Sequence, residues 1–122
     1  MSIYSELPVY KSTYLLLHHL VQMSPSWQRD YRYTLGADLK NELMDLIILI
    51  YRANSTDAKS AVIGEGRECI ERVKVYIRLL HDLRQIGDRQ YSALTEETGS
   101  ISKQLARWQA KSEDSNQVRR PH

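Results

Sequence analysis

The sequence predicts an all-α fold, an antiparallel up-down four-helix bundle. Apolar residues recur at helical spacing through four long segments, which are separated by short turn signals. Only 3 prolines and 5 glycines interrupt the 122 residues, so few positions break a helix. Hydrophobic residues make up 42% and charged residues 26%, a composition typical of one folded domain. We place this domain at residues 1–111 and predict a disordered polar tail at 112–122.

Helix 1 is delimited by two prolines. Pro8 suits the first turn of a helix, and Pro25 disfavours helical backbone in the residue before it. The helix is therefore predicted from about Pro8 to Met23. Its predicted core stripe comprises Tyr10, Tyr14, Leu17 and Val21.

Helix 2 is predicted to begin between Ser26 and Asp30, either of which can cap it, and to end near Ala53. Gly36 lies inside this helix at a cost of about 1 kcal/mol relative to Ala, which indicates close approach of a neighbouring backbone. The predicted core stripe comprises Leu35, Leu39, Leu43, Leu46, Ile50 and Ala53.

Helix 3 follows turn residues at 54–57 and is predicted to end near Ile86, with Gly87 just after its C-terminus. Helix 4, capped by Asp88, is predicted from about Arg89 to Ala110. The core stripe of helix 3 comprises Val62, Ile63, Ile70, Val73, Ile77 and Leu80. That of helix 4 is a narrow seam at alternating spacings of four and three, formed by Leu94, Thr98, Ile101, Leu105 and Trp108.

Helices 2 and 3 each carry a second apolar row, which a surface helix of an isolated small bundle does not need. We interpret these second rows as contacts with a partner outside the bundle, such as a neighbouring subunit. The predicted interface residues are Met44, Ile48, Tyr51, Val75, Leu79 and Ile86.

Basic residues form rows on helices 3 and 4, and the net charge of +2 permits a polyanionic partner without requiring one. Such rows are either solvated faces or, on a rigid helix, tracks for phosphates. Arg84 falls in line with the core stripe of helix 3. It either extends outward near the helix C-terminus or forms a site at the bundle rim with Gln85 and Arg89. The candidate residues for binding a polyanion such as nucleic acid are Arg67, Lys74, Arg78, Arg84, Arg89, Lys103, Arg107 and Lys111.

Residues able to carry catalysis or bind a metal are scattered. His18 and His19 are adjacent and point about 100° apart on a helix, and Cys69 lies beside an apolar stripe. We therefore predict no enzymatic activity, no metal and no cofactor. No apolar run approaches the roughly 18 residues that cross a membrane, and the single cysteine fits a reducing compartment. A cytoplasmic protein without a membrane partner is expected.

Seven segments, read in order, resemble a known family, the accessory variability determinant (Avd) of diversity-generating retroelements. This family belongs to a group of four-helix bundles that includes proteins encoded in intervening sequences of ribosomal RNA genes. The segments are YK at 10–11, YLLL at 14–17, RYTLG at 32–36, IYRAN at 50–54, IRLLHDLR at 77–84, RQY at 89–91 and ISKQLARW at 101–108.

The resemblance implies a four-helix bundle that assembles into a homopentameric ring without a catalytic centre. It implies binding to the reverse transcriptase of the retroelement and to template RNA or DNA, in support of mutagenic retrohoming. The chain differs from the family in its low net charge and in having Ser102 and Arg107 where the family tends to have glycine. The alternative hypothesis is an oligomeric four-helix scaffold that binds proteins and no nucleic acid.

Overall fold

The computed structural model describes residues 3–119, with side chains through Ser115. This part of the chain contains helices and no strand, which confirms the all-α class. Two 3-10 turns, Tyr4–Glu6 and Ser24–Ser26, flank the first helix. The helices are α1 (Pro8–Met23), α2 (Arg29–Tyr33), α3 (Leu35–Ser55), α4 (Lys59–Asp82) and α5 (Asp88–Arg119).

The four long helices, α1, α3, α4 and α5, pack side by side, and neighbours in sequence are neighbours in space. Arg72 of α4 pairs with Glu42 of α3 at 2.9 Å, and Glu65 pairs with Arg52 at 3.9 Å. Rising numbers on one helix therefore match falling numbers on the next. The arrangement is the antiparallel packing expected for helices joined by short turns.

Helices α1 and α5 close the bundle. Gln104 Nε2 donates a hydrogen bond to Ser12 Oγ at 3.0 Å, and His19 Nδ1 lies 2.8 Å from Glu97 Oε1. These two contacts run in opposite directions along the two helices, so α1 and α5 are also antiparallel. The core consequently lies between all four long helices.

The predicted core stripes of α3, α4 and α5 are largely confirmed. Of the stripe predicted for α3, Leu35 is only half-buried, and the other five residues are buried: Leu39, Leu43, Leu46, Ile50 and Ala53. All six stripe residues predicted for helix 3 are buried in α4. The seam of α5 is buried from Leu94 to Leu105, and Trp108 is half-buried beyond it.

The core face of α1 differs from the predicted one. Its buried residues are Val9, Thr13, Leu16 and Leu20. The predicted stripe lies one position along the helix, about 100° around the axis. Thr13 fits in the core because its hydroxyl donates to the carbonyl of Val9 at 2.7 Å, so no polar group is left unpaired.

Helix 2, predicted as one helix, is divided in two at Thr34. This residue has φ −111° and ψ −88°, outside the helical region, so α2 ends before it and α3 begins after it. Gly36 lies directly against the buried Trp27: a Cβ added there would lie 3.0 Å from Trp27 Cζ3. The predicted close approach is therefore mainly to an indole ring, although the carbonyl oxygen of Tyr31 would also be 3.3 Å away.

Helix α4 ends at Asp82, earlier than predicted, and Arg84 rather than Gly87 reverses the chain. Arg84 has φ 60°, the left-handed conformation usually adopted by glycine after a helix. Its amide donates to the carbonyl of His81 at 2.9 Å, and the amide of Gln85 donates to that of Leu80 at 2.8 Å. This pair of hydrogen bonds is the Schellman motif.

Gly87 begins the next helix. Its carbonyl accepts from the amide of Tyr91 at 2.9 Å, and its own amide donates to Gln90 Oε1 at 3.0 Å. Gly87 is therefore the N-cap of α5, with Gln90 completing half of a capping box, and the predicted cap Asp88 is the first helical residue.

Helix α5 continues to Arg119, well beyond the predicted end at Ala110. The spacing that places Leu105 and Trp108 on the seam also places Ser112 there, and Ser112 is buried. Ser60 Oγ of α4 donates to Glu113 Oε1 at 2.8 Å, which extends the packing further. Helix therefore replaces the expected disordered tail over 112–119, and residues 120–122 lie outside the described range.

Candidate interaction surfaces

Four tyrosine rings form a continuous chain across the seam between α1 and α3. Tyr4 contacts Tyr51 edge-on, with ring centroids 5.1 Å apart, and contacts Tyr10 in the same manner at 5.4 Å. Tyr10 in turn stacks on Tyr14 at 6.2 Å. Such pairs stabilise the fold beyond the area they bury. The chain of rings therefore holds the N-terminal turn against both helices.

Exposed apolar side chains extend this aromatic chain along both helices. Val21 lies two turns after Tyr14 on the same flank of α1, and Ile48 and Met44 precede Tyr51 on the same flank of α3. These five side chains are between 47% and 53% exposed. We name this surface the tyrosine face, composed of Tyr4, Tyr10, Tyr14, Val21, Met44, Ile48 and Tyr51.

A second exposed apolar patch lies on α4. Val75 is 60% and Leu79 39% exposed, and we name these two residues the α4 patch. Leu79 is two turns from Arg72, which pairs with Glu42, so the patch lies toward the α3–α4 side of the bundle. Tyr51, by contrast, contacts Tyr4 of the N-terminal turn. The predicted interface residues thus divide between two separate surfaces.

Ile86 does not belong to either surface. It is 4% exposed and packs in the core, so its prediction as an interface residue is wrong. The prediction assumed that helix 3 continued to Ile86. Because α4 ends at Asp82 and the chain reverses at Arg84, Ile86 turns inward instead of extending the outer row of the helix.

The basic residues predicted on α4 all have partners. Arg67 Nη1 donates to Gln109 Oε1 at 2.7 Å, which joins α4 to α5. Lys74 and Arg78 pair with acidic residues of their own helix at 2.9 Å and 3.8 Å. Exposed pairs of this kind contribute little to stability, but they reduce the positive potential of the row. This row is therefore the weaker candidate for binding phosphates.

Within the described part of the chain, the basic row of α5 has no such partners. Lys103, Arg107 and Lys111 are exposed, and none makes a hydrogen bond or ion pair with a described side chain. Arg107 and Lys111 line a cleft of about 650 Å³ between α5 and the start of α1, together with Leu7 and Trp108. Lys103 lies outside this cleft. The row therefore offers three cations on one helix that pair with no side chain among residues 3–115.

Arg84 and Arg89 lie at the opposite end of the bundle, around the turn between α4 and α5. Both are exposed. Gln85, their predicted partner in a rim site, accepts a hydrogen bond from the amide of Gln28 at 2.7 Å and donates to the carbonyl of Leu83 at 2.9 Å. Gln85 is thus engaged in holding the turn. The eight predicted cations therefore occupy three places and do not form one site.

Cys69, the single cysteine of the sequence, is buried and packs in the core. Burial raises the pKa of the Cys69 thiol, as does Glu42, whereas Arg72 lowers it. A thiol with a raised pKa stays protonated at neutral pH and is a poor nucleophile. Among the described residues, no cluster of three or more histidine, cysteine or acidic side chains could hold a metal ion.

Two features were missed by the sequence reasoning. The first is the exposure of Tyr14 and Val21, because the helix 1 stripe was assigned to the wrong side. The second is the cleft beside Trp108, whose walls come from residues about 100 positions apart in the chain. A signal for the cleft was present: Gln104, Trp108 and Lys111 recur at spacings of four and three on one side of the last helix.

Comparison with known proteins does not identify a family for this chain: no family model matches it, and neither does any curated protein. Within residues 3–119, no helix combines the length and the apolar character needed to cross a membrane.

Proposed function

We propose that this chain is a non-enzymatic accessory protein of a diversity-generating retroelement. It assembles into a homo-oligomeric ring and binds the reverse transcriptase and nucleic acid in support of mutagenic retrohoming. The proposal rests on the ordered resemblance to Avd proteins. The single structural observation that supports it most is the presence of two separate exposed apolar surfaces on one small bundle.

Two different surfaces are what a ring requires. In a head-to-tail ring, each subunit presents one surface to the subunit ahead and another to the subunit behind. The tyrosine face and the α4 patch supply such a pair, and burying their apolar area contributes about 25 cal/mol per Å². Five subunits is the number implied by the resemblance alone.

The assembly is tested with charges placed on each surface. Ile48→Asp and Val75→Asp should each convert the oligomer to monomer with unchanged helical circular dichroism, because each removes one half of every contact. Mass in solution, by light scattering, is the measurement. Ser92→Asp, at an exposed position of α5 outside both surfaces, should leave the oligomer intact.

Mixing the two monomeric variants sharpens the test. Ile48→Asp retains an intact α4 patch and Val75→Asp retains an intact tyrosine face. A ring built from these two surfaces therefore predicts a heterodimer in the mixture and nothing larger. A wild-type monomer at micromolar concentration, or an oligomer that survives both substitutions, would contradict the proposed assembly.

The basic row of α5 is the proposed contact with nucleic acid. Each phosphate contact on a single strand contributes about 0.7 to the slope of log affinity against log salt concentration. Replacing Lys103, Arg107 and Lys111 with Ala should therefore reduce this slope by about 2. The matched control replaces the partnered Arg67, Lys74 and Arg78 with Ala, where a smaller reduction is expected. An equal or larger effect of the control would place the contact elsewhere.

A second candidate function is a scaffold that binds only proteins. The pairing of the α4 cations, and the net charge of +2, favour this alternative. It predicts an oligomer that binds protein partners without salt-dependent binding of RNA or DNA. Filter binding at low and high salt distinguishes the two functions.

A further inference from the structure

The cleft between α5 and the start of α1 has an apolar wall and a charged rim. Leu7, Pro8 and the half-buried Trp108 form much of the wall. Arg107 and Lys111 lie one helical turn apart at the rim, about 6 Å along the axis. The volume of about 650 Å³ falls within the usual range for sites that bind small organic groups.

Several polar groups of this cleft have no partner within the described part of the chain. Arg107 and Lys111 form no ion pair there. Gln104 also lines the cleft, and its Nε2 donates to Ser12 and Ser100. Its Oε1, by contrast, is buried and accepts no hydrogen bond. A buried acceptor without a donor is costly, and a rotation of the Gln104 side chain toward the cleft would let this oxygen accept a hydrogen bond from a ligand N–H group.

These features match the parts of one nucleotide. A base has a flat apolar face, which can stack on an indole, and N–H groups, which can donate to an amide oxygen. A phosphate suits the two cations. Asp114 also lines the cleft, so two cations and one carboxylate leave a single net positive charge, which fits one phosphate better than several. A fatty carboxylate would match the wall and the cations but offers Gln104 no donor.

We infer that the cleft binds a single nucleotide of single-stranded nucleic acid, with its base against Trp108 and its phosphate between Arg107 and Lys111. The inference rests on the proposed nucleic-acid binding and names its substrate class. In a duplex both faces of each base are covered by stacking, so a base reaches this cleft only from an unpaired strand. The chain therefore prefers single strands to duplexes.

The test uses an oligothymidylate of about ten nucleotides and a duplex of the same length, with binding followed by anisotropy of a labelled strand. Tryptophan fluorescence gives a second readout, because Trp27 and Trp108 are the only tryptophans and Trp27 is 2% exposed at the other end of the bundle. The single strand should bind at least about fivefold more tightly than the duplex and quench Trp108.

Substitutions at the cleft separate its role from general charge attraction. Arg107→Gln with Lys111→Gln should abolish the quenching, whereas Lys103→Gln, on the same helix but outside the cleft, should retain it. Trp108→Leu should weaken single-strand binding at least about fivefold, and Trp108→Tyr should keep most of the affinity while losing the signal. Circular dichroism confirms that each variant is folded.

The outcomes distinguish this inference from the proposed function. Equal binding of single strand and duplex, or no quenching of Trp108, would refute nucleotide binding in the cleft but would leave the proposed nucleic-acid binding intact. Binding of neither ligand overturns both. Quenching by decanoate but not by the oligonucleotide assigns the cleft to an apolar carboxylate and overturns the inference as well.

Discussion

Replacing Arg84 with glycine should stabilise the protein, although it removes a charged side chain. Arg84 holds the left-handed conformation at φ 60° that ends α4. This conformation costs a residue with a Cβ roughly 1–2 kcal/mol, and glycine avoids that cost. Glycine also makes the unfolded chain more flexible, which offsets about 0.4–1 kcal/mol of this gain in the free energy of unfolding. The net gain is therefore about 0.5–1 kcal/mol in the free energy of unfolding.

The gain is measurable by thermal unfolding at a fixed protein concentration, which keeps the contribution of any assembly constant. For a chain of this length, 1 kcal/mol corresponds to a rise in Tm of about 4 °C. Arg84→Ala is the matched control: it removes the same charge but keeps the Cβ, so its Tm should stay within about 1 °C of the wild type. A glycine variant no more stable than the alanine variant would refute the assigned conformation.

Three further predictions follow from packing and burial. Gly36→Ala should lower the free energy of unfolding by about 1 kcal/mol or more, because the added Cβ meets a buried indole. Gly99→Ala, where the added Cβ has open space, should raise it by about 0.5–1 kcal/mol. Urea titration compares the two variants, and equal effects would contradict the Gly36 contact. Thr13→Asp should unfold the chain because Thr13 is buried, whereas Tyr14→Asp should leave the chain folded because Tyr14 is half exposed. Circular dichroism measures the helical content of both variants. The reverse result would support the core face that the sequence predicted for helix 1. Burial raises the pKa of Cys69 above 9.0, so the stability contributed by the protonated thiol is complete below about pH 9 and is lost as the pH rises further. In urea unfolding, Cys69→Ala should therefore lose less of its free energy of unfolding above pH 9 than the wild type does. An equal loss in both proteins would refute this.

The sequence predicted the fold class and three of the four core stripes because periodicity reports burial directly. It failed on helix 1, where Val9, Leu16 and Leu20 compete with an adjacent and equally apolar stripe of larger residues. Which of the two stripes is buried depends on the neighbouring helices. Thr13, a polar residue on the buried side, is tolerated in the core because its hydroxyl donates a hydrogen bond to a backbone carbonyl of its own helix.

The end of helix 3 was mispredicted for a different reason. Gly87 is the residue type expected after a helix, whereas Arg84 rarely adopts positive φ. The tertiary contacts of Ile86, which turns into the core, outweigh this local preference. Met44, Ile48 and Tyr51 are exposed, as a second apolar row outside the core stripe requires, and their role at an interface stays a prediction. The cleft at Trp108 depends on the pairing of the first helix with the last.

The closure of the bundle by α1 and α5 has a consequence for folding. The contacts of α3 with α4, and of α4 with α5, join helices that are adjacent in sequence, so they form with little loss of chain entropy. The contact between α1 and α5 joins opposite ends of the chain, and α1, with 16 residues, is the shortest of the four long helices. We therefore expect α3, α4 and α5 to form the folding nucleus and α1 to dock late. Because α1 also carries half of the tyrosine face, that face is completed only in the last step, which limits contact between partly folded copies.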